Sequence, residues 1–284
     1  MQTAILNRAL KVARKTAIEA GGLLLKMQKE GFSIELKGEI NLVTSADQKA
    51  EALISTRLKK NFPEFDLLAE ETGETSRRMS SDAVWVVDPL DGTTNFAHRL
   101  PMYAVSIALW EKERPVLGVV YHPALDELFW AVKGKGAFLN KKRIAVSGTA
   151  DPNSALLSTG FPYDLRQSRE NNLDYFAAFA TRVRAIRRMG AAALDIAWTA
   201  AGRFDGFWEL KLFPWDIAAA VLMVSEAGGK LSDFKGGALG LSTPNVVASN
   251  TRLHTFILKV IEECRCKTLF AAGGETMIKK EVRS

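Results

Sequence analysis

Residues 84 to 95 read Val-Trp-Val-Val-Asp-Pro-Leu-Asp-Gly-Thr-Thr-Asn: an apolar run that stops at Asp88, a second acid at Asp91, then small residues able to open a helix. Two anionic oxygen donors therefore stand beside a Gly92-Thr93-Thr94 turn, where backbone N–H groups at a helix start lack internal partners and point outward. Carboxylates alone repel a phosphate. A divalent cation between them removes the conflict, because hard Mg²⁺ takes one or two carboxylates together with phosphate oxygens at about 2.1 Å. The pattern predicts metal-assisted phosphate chemistry.

Two other readings compete for these residues. A phosphatase with an aspartyl nucleophile also sets Asp at the end of an apolar strand, but as Asp-x-Asp-x-Thr, and two residues separate Asp88 from Asp91. A plain Asp-Pro turn closed by Gly92 needs no function at all, since Asp, Pro and Gly favour turns for local reasons. Further acids sit at other element ends: Glu70 after the stretch Asp66 to Ala69, and Asp216 in Pro214-Trp215-Asp216-Ile217. Alone, Glu70 reads as a surface acid and Asp216 as a helix N-cap. As a set, acids from three separate element ends can converge on one cleft, as pocket chemistry requires.

The elements that would carry these acids are legible from periodicity. Leu6, Ala9, Leu10, Ala13, Ala17, Ala20, Leu24 and Met27 keep helical spacing, which predicts one long amphipathic helix over 3–28 with Gly31 just past its end. Residues 33–43 are mixed. Thr44-Ser45-Ala46-Asp47 resembles a capping box that opens a helix with Ala50, Leu53, Ile54 and Leu58 inward, placing Asp47 in its first turn. Pro63 follows, and Asp66 to Ala69 reads as a short strand that delivers Glu70 and Glu71. Strands are expected at 104–110, 116–121, 128–132 and 137–139; their short linkers argue for antiparallel hairpins, because parallel neighbours need crossovers of about a dozen residues or more. The second half predicts a strand at 155–159, helices near 169–182 and 191–202, a strand at 204–208, one helix over 217–227, strands at 230–233 and 246–249, and a helix at 251–263. No fixed-period repeat or low-complexity linker interrupts the chain, so two sheet-centred halves should pack closely.

Composition narrows the function classes. The 284 residues are 47% apolar and 25% charged, as in ordinary globular proteins, with ample length for a sizeable core. No apolar run approaches the roughly 18 residues of a membrane span, and Lys and Arg recur through the first 30 residues, so a cytoplasmic protein without a signal peptide is expected. Cys264 and Cys266 are too close for a disulfide framework and too few for a structural zinc site, and read as free thiols. His98, His122 and His254 are too few for a histidine-rich metal site, and neither a Gly-x-Ser-x-Gly elbow nor a Walker-type loop is present. Gly134-Lys135-Gly136 reads as a strand turn. Residues 265–284 supply half of the net charge of +6; such a basic tail either attracts anionic partners through its field or is simply solvated.

Taken together, the motifs resemble the inositol monophosphatases, within the lithium-sensitive, magnesium-dependent phosphatase superfamily. The matching blocks are Glu70-Glu71-Thr72, Trp85 to Phe96, Gly202 to Glu209, Trp215-Asp216-Ile-Ala-Ala, and Glu226-Ala227-Gly228-Gly229, collinear over roughly 5–262, with bacterial members most similar from Ala192 to Gly206. The resemblance implies an α+β fold, a layered αβαβα sandwich of two sheets and helix pairs. It implies a half over 1–150 carrying most metal ligands, a half over 151–268 carrying Asp216 and substrate contacts, and a basic tail over 269–284 that need not be ordered.

The resemblance also implies roles. Glu70, Asp88 and the Leu90 carbonyl would hold one Mg²⁺; Asp88, Asp91 and Asp216 a second; a third, more hydrated ion would lie against Glu70. Gly92 and Thr93 would offer N–H groups to the phosphate, while Thr93, Asp47 and Glu70 orient the attacking water. Lys37 matches a basic residue near the metals. Asp91, Asp216, Glu209 and the backbone of Gly190, Ala191 and Ala192 would contact the substrate. Ala191 departs from the Ser or Thr that relatives often carry, which removes one hydroxyl from the pocket. Phe161, Tyr163 and Asp164 form either a self-packed aromatic turn or part of the pocket wall. The implied reaction is direct attack of water with inversion at phosphorus, on myo-inositol 1-phosphate or a related small phosphorylated polyol. Fructose-1,6-bisphosphate, NADP and nucleotide phosphates are alternatives within the superfamily. A homodimer is implied too. Association with RNA or RNA polymerase is a further alternative, in which the Lys279-Lys280 tail would serve.

Overall fold

The computed structural model describes residues 1–36, 42–73 and 81–266. Helix α1 (Thr3–Glu30) buries the stripe Ala9, Ala13, Ala17, Ala20, Leu24 and Met27, and stops where Gly31 takes φ 115°. The small side chains let it lie close to the sheet, and a Cβ on Gly21 would stand only 2.5 Å from the Tyr121 ring. A short hairpin, β1 (Ile34–Leu36) with β2 (Leu42–Thr44), precedes α2 (Ser45–Asn61). The Thr44–Asp47 capping box is present: Asp47 Oδ2 accepts from the Thr44 backbone N–H at 2.7 Å.

A seven-stranded sheet follows in the order β3 (Asp66–Ala69), β4 (Ala83–Asp91), β5 (Ala104–Glu111), β6 (Arg114–His122), β7 (Glu127–Val132), β8 (Gly136–Leu139) and β9 (Lys142–Ile144). From β4 to β9 neighbours are antiparallel, as the short linkers require; β3 alone pairs in parallel, with Ala69 opposite Val87. The Gly134 turn joins β7 to β8, and Glu226 accepts from the N–H groups of Gly134 and Gly136, both at 2.7 Å. The strand expected to end at Asp88 instead runs to Asp91. Asp88 faces Ser106 and Asp91 faces Ala104, so an extra residue bulges out of β4 at Pro89, which has no N–H for the ladder. In a regular strand, residues three apart point to opposite faces. The bulge resets that alternation.

Between β4 and β5 lies the short helix α3 (Thr93–Ala97). The second sheet has the order β11 (Ala185–Arg187), β10 (Leu156–Thr159), β12 (Gly206–Glu209), β14 (Val246–Ser249) and β13 (Lys230–Ser232). Its helices are α4 (Leu173–Ala180), α5 (Ala192–Ala200), α6 (Pro214–Ile217), α7 (Ala220–Glu226) and α8, helical over 254–266. Three cores make the layers: α1 and α2 against one face of the large sheet, α5 and α7 between the two sheets, and α4 with α8 outside the small sheet. This is the expected α+β sandwich. β4 is buried along its whole length because helices cover both faces, which explains its unbroken apolar run.

Several elements differ from expectation. The helix expected from 169 begins at Leu173, leaving 160–172 as a loop, and β1, β2, β9 and β11 are short strands without clear alternation. The helix expected over 217–227 is two pieces. Ala218 and Ala219 keep helical φ of −53° and −80°, yet the segment is drawn against the sheet, where the Ala218 carbonyl accepts from Trp110 Nε1 at 3.0 Å. A Cβ on Gly118 of β6 would stand 2.1 Å from the Ala219 oxygen. Direct backbone-to-backbone packing thus fixes the segment that carries Asp216.

Gly118→Ala should accordingly lower stability by about 2 kcal/mol or more in equilibrium urea unfolding, whereas Gly22→Ala, with nothing within 4 Å of the new methyl, should be neutral or slightly stabilising. Equal stability of the two variants would contradict this packing.

Candidate active site

One cavity of about 270 Å³ is lined by Glu70, Asp88, Leu90, Asp91, Gly92, Thr93, Gly190, Ala191, Ala192, Glu209 and Asp216, so the fold brings nearly all of the expected site residues together. Each arrives on a different support. The parallel pairing of β3 with β4, continued by the Glu70 N–H donating to the Val87 carbonyl at 3.2 Å, sets Glu70 beside Asp88. The β4 bulge turns both Asp88 and Asp91 into the cavity. Asp216, half-buried in the first turn of α6, accepts from the Phe213 N–H at 2.7 Å. Glu209 ends β12, and its carboxylate fills the space beside Gly160, where any Cβ would stand 2.0 Å from Oε1.

The electrostatics are those of crowded like charges. Burial pushes the Asp88 carboxyl well above the usual range, and Glu70, Asp91 and Asp216 push it further. Burial also raises Asp91 to about 7, against backbone N–H groups of Leu194, Ala192 and Ala193 that favour its charged form; the Leu194 bond measures 3.2 Å. Asp91 thereby ties β4 to the start of α5. Asp216 is raised to about 7, by burial and then by Asp91. Glu209 is raised to about 8 by burial, then by Asp216, while Arg188 opposes the shift. The acids border a cavity rather than meeting at a point, and among the described residues no three His, Cys, Asp or Glu side chains close into a ligand cluster.

Asp47 lies behind the cavity wall. It is fully buried, and its Oδ1 accepts from the Thr93 hydroxyl at 2.9 Å; the same hydroxyl lies 3.1 Å from the Leu90 carbonyl. With one proton, Thr93 donates to one of these oxygens at a time. Gly92 holds φ 90°, and a Cβ there would press on the Met102 oxygen at 2.9 Å, so glycine is required where β4 turns into α3. Lys37 lies outside the described residues, as does the Lys279-Lys280 tail. Phe161 and Tyr163 line the cavity, whereas Asp164 pairs with Lys211 at 2.5 Å.

Two positioning residues, Glu51 and Asn95, and one further buried acid, Asp195, escaped the sequence reading. Glu51, buried on α2, accepts from the N–H groups of Glu71 and Thr72 at 2.7 and 2.9 Å and so fixes the turn after Glu70. Its signal was an acid on the inward helical face, between Ala50 and Ile54. The Asn95 amide lies 2.7, 2.8 and 3.3 Å from the carbonyls of Met102, Met189 and Gly190, joining α3 to the turn before α5. Asp195 is buried in α5 with Oδ1 unpartnered and its carboxyl raised by burial, then by Glu209 and Asp91.

Known proteins share this sequence and architecture. The chain is 43% identical over 251 residues to the Nus factor SuhB of Escherichia coli (strain K12), covering 88% of this chain and 92% of that protein. It is 41% identical over 256 residues to the inositol-1-monophosphatase of Mesorhizobium japonicum, covering 89% and 96%. The structure of the inositol monophosphatase from Anabaena (Nostoc) sp. PCC 7120 superposes with a TM-score of 0.83 at 36% identity, covering 91% of this chain and 96% of that one. Because the inositol monophosphatase family pattern matches residues 6–265, across both sheets and every wall of the cavity, this chain belongs to the inositol monophosphatase family of phosphatases.

Proposed function

We propose that the protein is a Mg²⁺-dependent phosphomonoesterase whose substrate is myo-inositol 1-phosphate or a closely related polyol phosphate. The carrying observation is the four acids, Glu70, Asp88, Asp91 and Asp216, that border one cavity, where burial and then the charges of Glu70, Asp91 and Asp216 push the Asp88 carboxyl well above its usual range. Such a set favours a hard cation, because all the donors are oxygens, the Leu90 carbonyl among them. Glu70, Asp88, Leu90, Asp91 and Asp216 would hold two to three ions. When bound, Mg²⁺ supplies charge neutralisation for the phosphate and a more acidic water.

The side chains do the rest of the work. Gly92 and Thr93 hold the phosphate oxygens through backbone N–H groups. The Thr93 hydroxyl, set by Asp47, and the Glu70 carboxylate orient the water in line with the ester bond, and Glu70 takes its proton. Glu209 and the backbone from Gly190 to Ala192 bind hydroxyls of the alcohol; burial, and then Asp216, raise the Glu209 carboxyl above its usual range. Phosphate-monoester hydrolysis has one of the highest uncatalysed barriers, so positioning and charge neutralisation must both contribute.

A second reading, association with a transcription complex, is supported by the name Nus factor SuhB of the E. coli relative. It is compatible with phosphatase activity. It predicts RNA or RNA-polymerase capture that weakens with salt and survives Asp91→Asn; no capture at low salt would remove it.

Phosphate release should rank inositol 1-phosphate above fructose 1,6-bisphosphate, NADP and a nucleotide 3′-phosphate, and vanish in EDTA. Asp91→Asn should fold and lose more than about a hundredfold in kcat/KM, since even partners one step removed from a metal cost 10- to 100-fold. Activity in EDTA or in Asp91→Asn would contradict the mechanism.

The raised carboxyls also set a pH dependence. Asp91 and Asp216 hold protons to about pH 7 in the folded chain against an ordinary value of 3.8, so the folded state binds more protons than the unfolded one and stability falls as pH rises through that range. The metal-free protein should melt at a lower temperature at pH 8 than at pH 6.5, and Mg²⁺ should remove most of the difference. A melting temperature that rises with pH in EDTA would contradict the crowding.

A further inference from the structure

Two aromatic side chains at the cavity mouth are half in water. Tyr163 is 53% exposed and Phe213 52% exposed, although both line the cavity. Phe213 stacks one face on Trp215, with centroids 5.1 Å apart and planes 9° apart, and leaves its other face without a ring neighbour among the described residues. Phe161, by contrast, is committed inward to Phe176 at 5.7 Å.

The segments carrying Tyr163 and Phe213 are fastened to each other. Lys211 donates to Asp164 Oδ2 at 2.5 Å and to the Ser168 hydroxyl at 2.8 Å, so an ion pair one residue from Tyr163 and two from Phe213 ties their two segments together. Tyr163 is a phenol, neutral at neutral pH, and so presents an uncharged ring to the cavity. Large apolar groups held in water beside a polar cavity mark a binding surface.

We propose, on the phosphomonoesterase reading, that Tyr163, Phe213 and Trp215 form a ring-stacking subsite that takes the apolar face of a cyclic alcohol while the acid-lined floor takes its phosphate. An acyclic alcohol has no flat face to lay on these rings. An aromatic ring and the C–H face of a cyclitol share the required chemistry, and a panel separates them.

The test compares kcat/KM for myo-inositol 1-phosphate, phenyl phosphate and glycerol 2-phosphate in the full chain with Mg²⁺. The wild type should prefer both ring esters to the acyclic one. Phe213→Ala, at a half-exposed position compatible with folding, should reduce the ring-to-acyclic ratio roughly three- to tenfold, mainly through KM, as expected for loss of one stacked face. Phe213→Trp should restore the ratio. If only the phenyl ratio falls, the subsite takes aromatic rings; if only the inositol ratio falls, it takes cyclitol faces. Ratios unchanged in Phe213→Ala would overturn the subsite while leaving the phosphatase reading intact. Failure of the wild type to hydrolyse any of the three would overturn both.

Discussion

Burial of Asp88 and Asp91 beside two further acids, Glu70 and Asp216, is the constraint around which this molecule is arranged. Asp88 lies almost fully buried in the field of Glu70, Asp91 and Asp216, so water screens the charges around it less than it would at the surface. Such a cluster costs folding free energy unless protons or cations neutralise it. The chain keeps it assembled through rigid backbone supports: the parallel β3–β4 pairing, the β4 bulge at Pro89, the start of α5 beneath Asp91, and the close contact of Gly118 with Ala219. Each support fixes a carboxylate by main-chain geometry, which resists the tendency of like charges to spread.

Behind the acids, a layer of satisfied polar groups keeps the wall rigid. Glu51 clamps the turn after Glu70, Asp47 bridges α2 to Thr93, and Asn95 bridges α3 to the turn before α5. These three side chains link α2, the large sheet and the central helices. Displacement of any one layer would therefore reach the cavity. Stability and function meet here, because the same contacts that hold the layers hold the oxygens.

Much of this was legible in the sequence for identifiable reasons. The α1 stripe, the Thr44–Asp47 cap and the antiparallel hairpins follow from local periodicity and turn chemistry, which the tertiary structure left intact. Asp88 and Asp91 were legible as a pair because Pro, Gly and Thr surround them with a special turn. What stayed hidden was long-range. The bulge that turns both acids to one side depends on the partner strand β5, and the break between α6 and α7 on Gly118 and Trp110, about a hundred residues away. The helix expected from 169 starts only at Leu173, and the Lys211 contacts to Asp164 and Ser168 tie the loop before it to the segment after β12.

The central claim is that the acid cluster is a cation site. Calorimetric titration of Mg²⁺ into EDTA-stripped protein at pH 7, repeated in buffers of different ionisation enthalpy, tests it most directly. Since Asp91 and Asp216 are raised to about 7, binding should expel protons, giving saturable heats that vary with the buffer and shrink in Asp216→Asn. Heats that neither saturate nor depend on the buffer, or that Asp216→Asn leaves unchanged, would contradict the account.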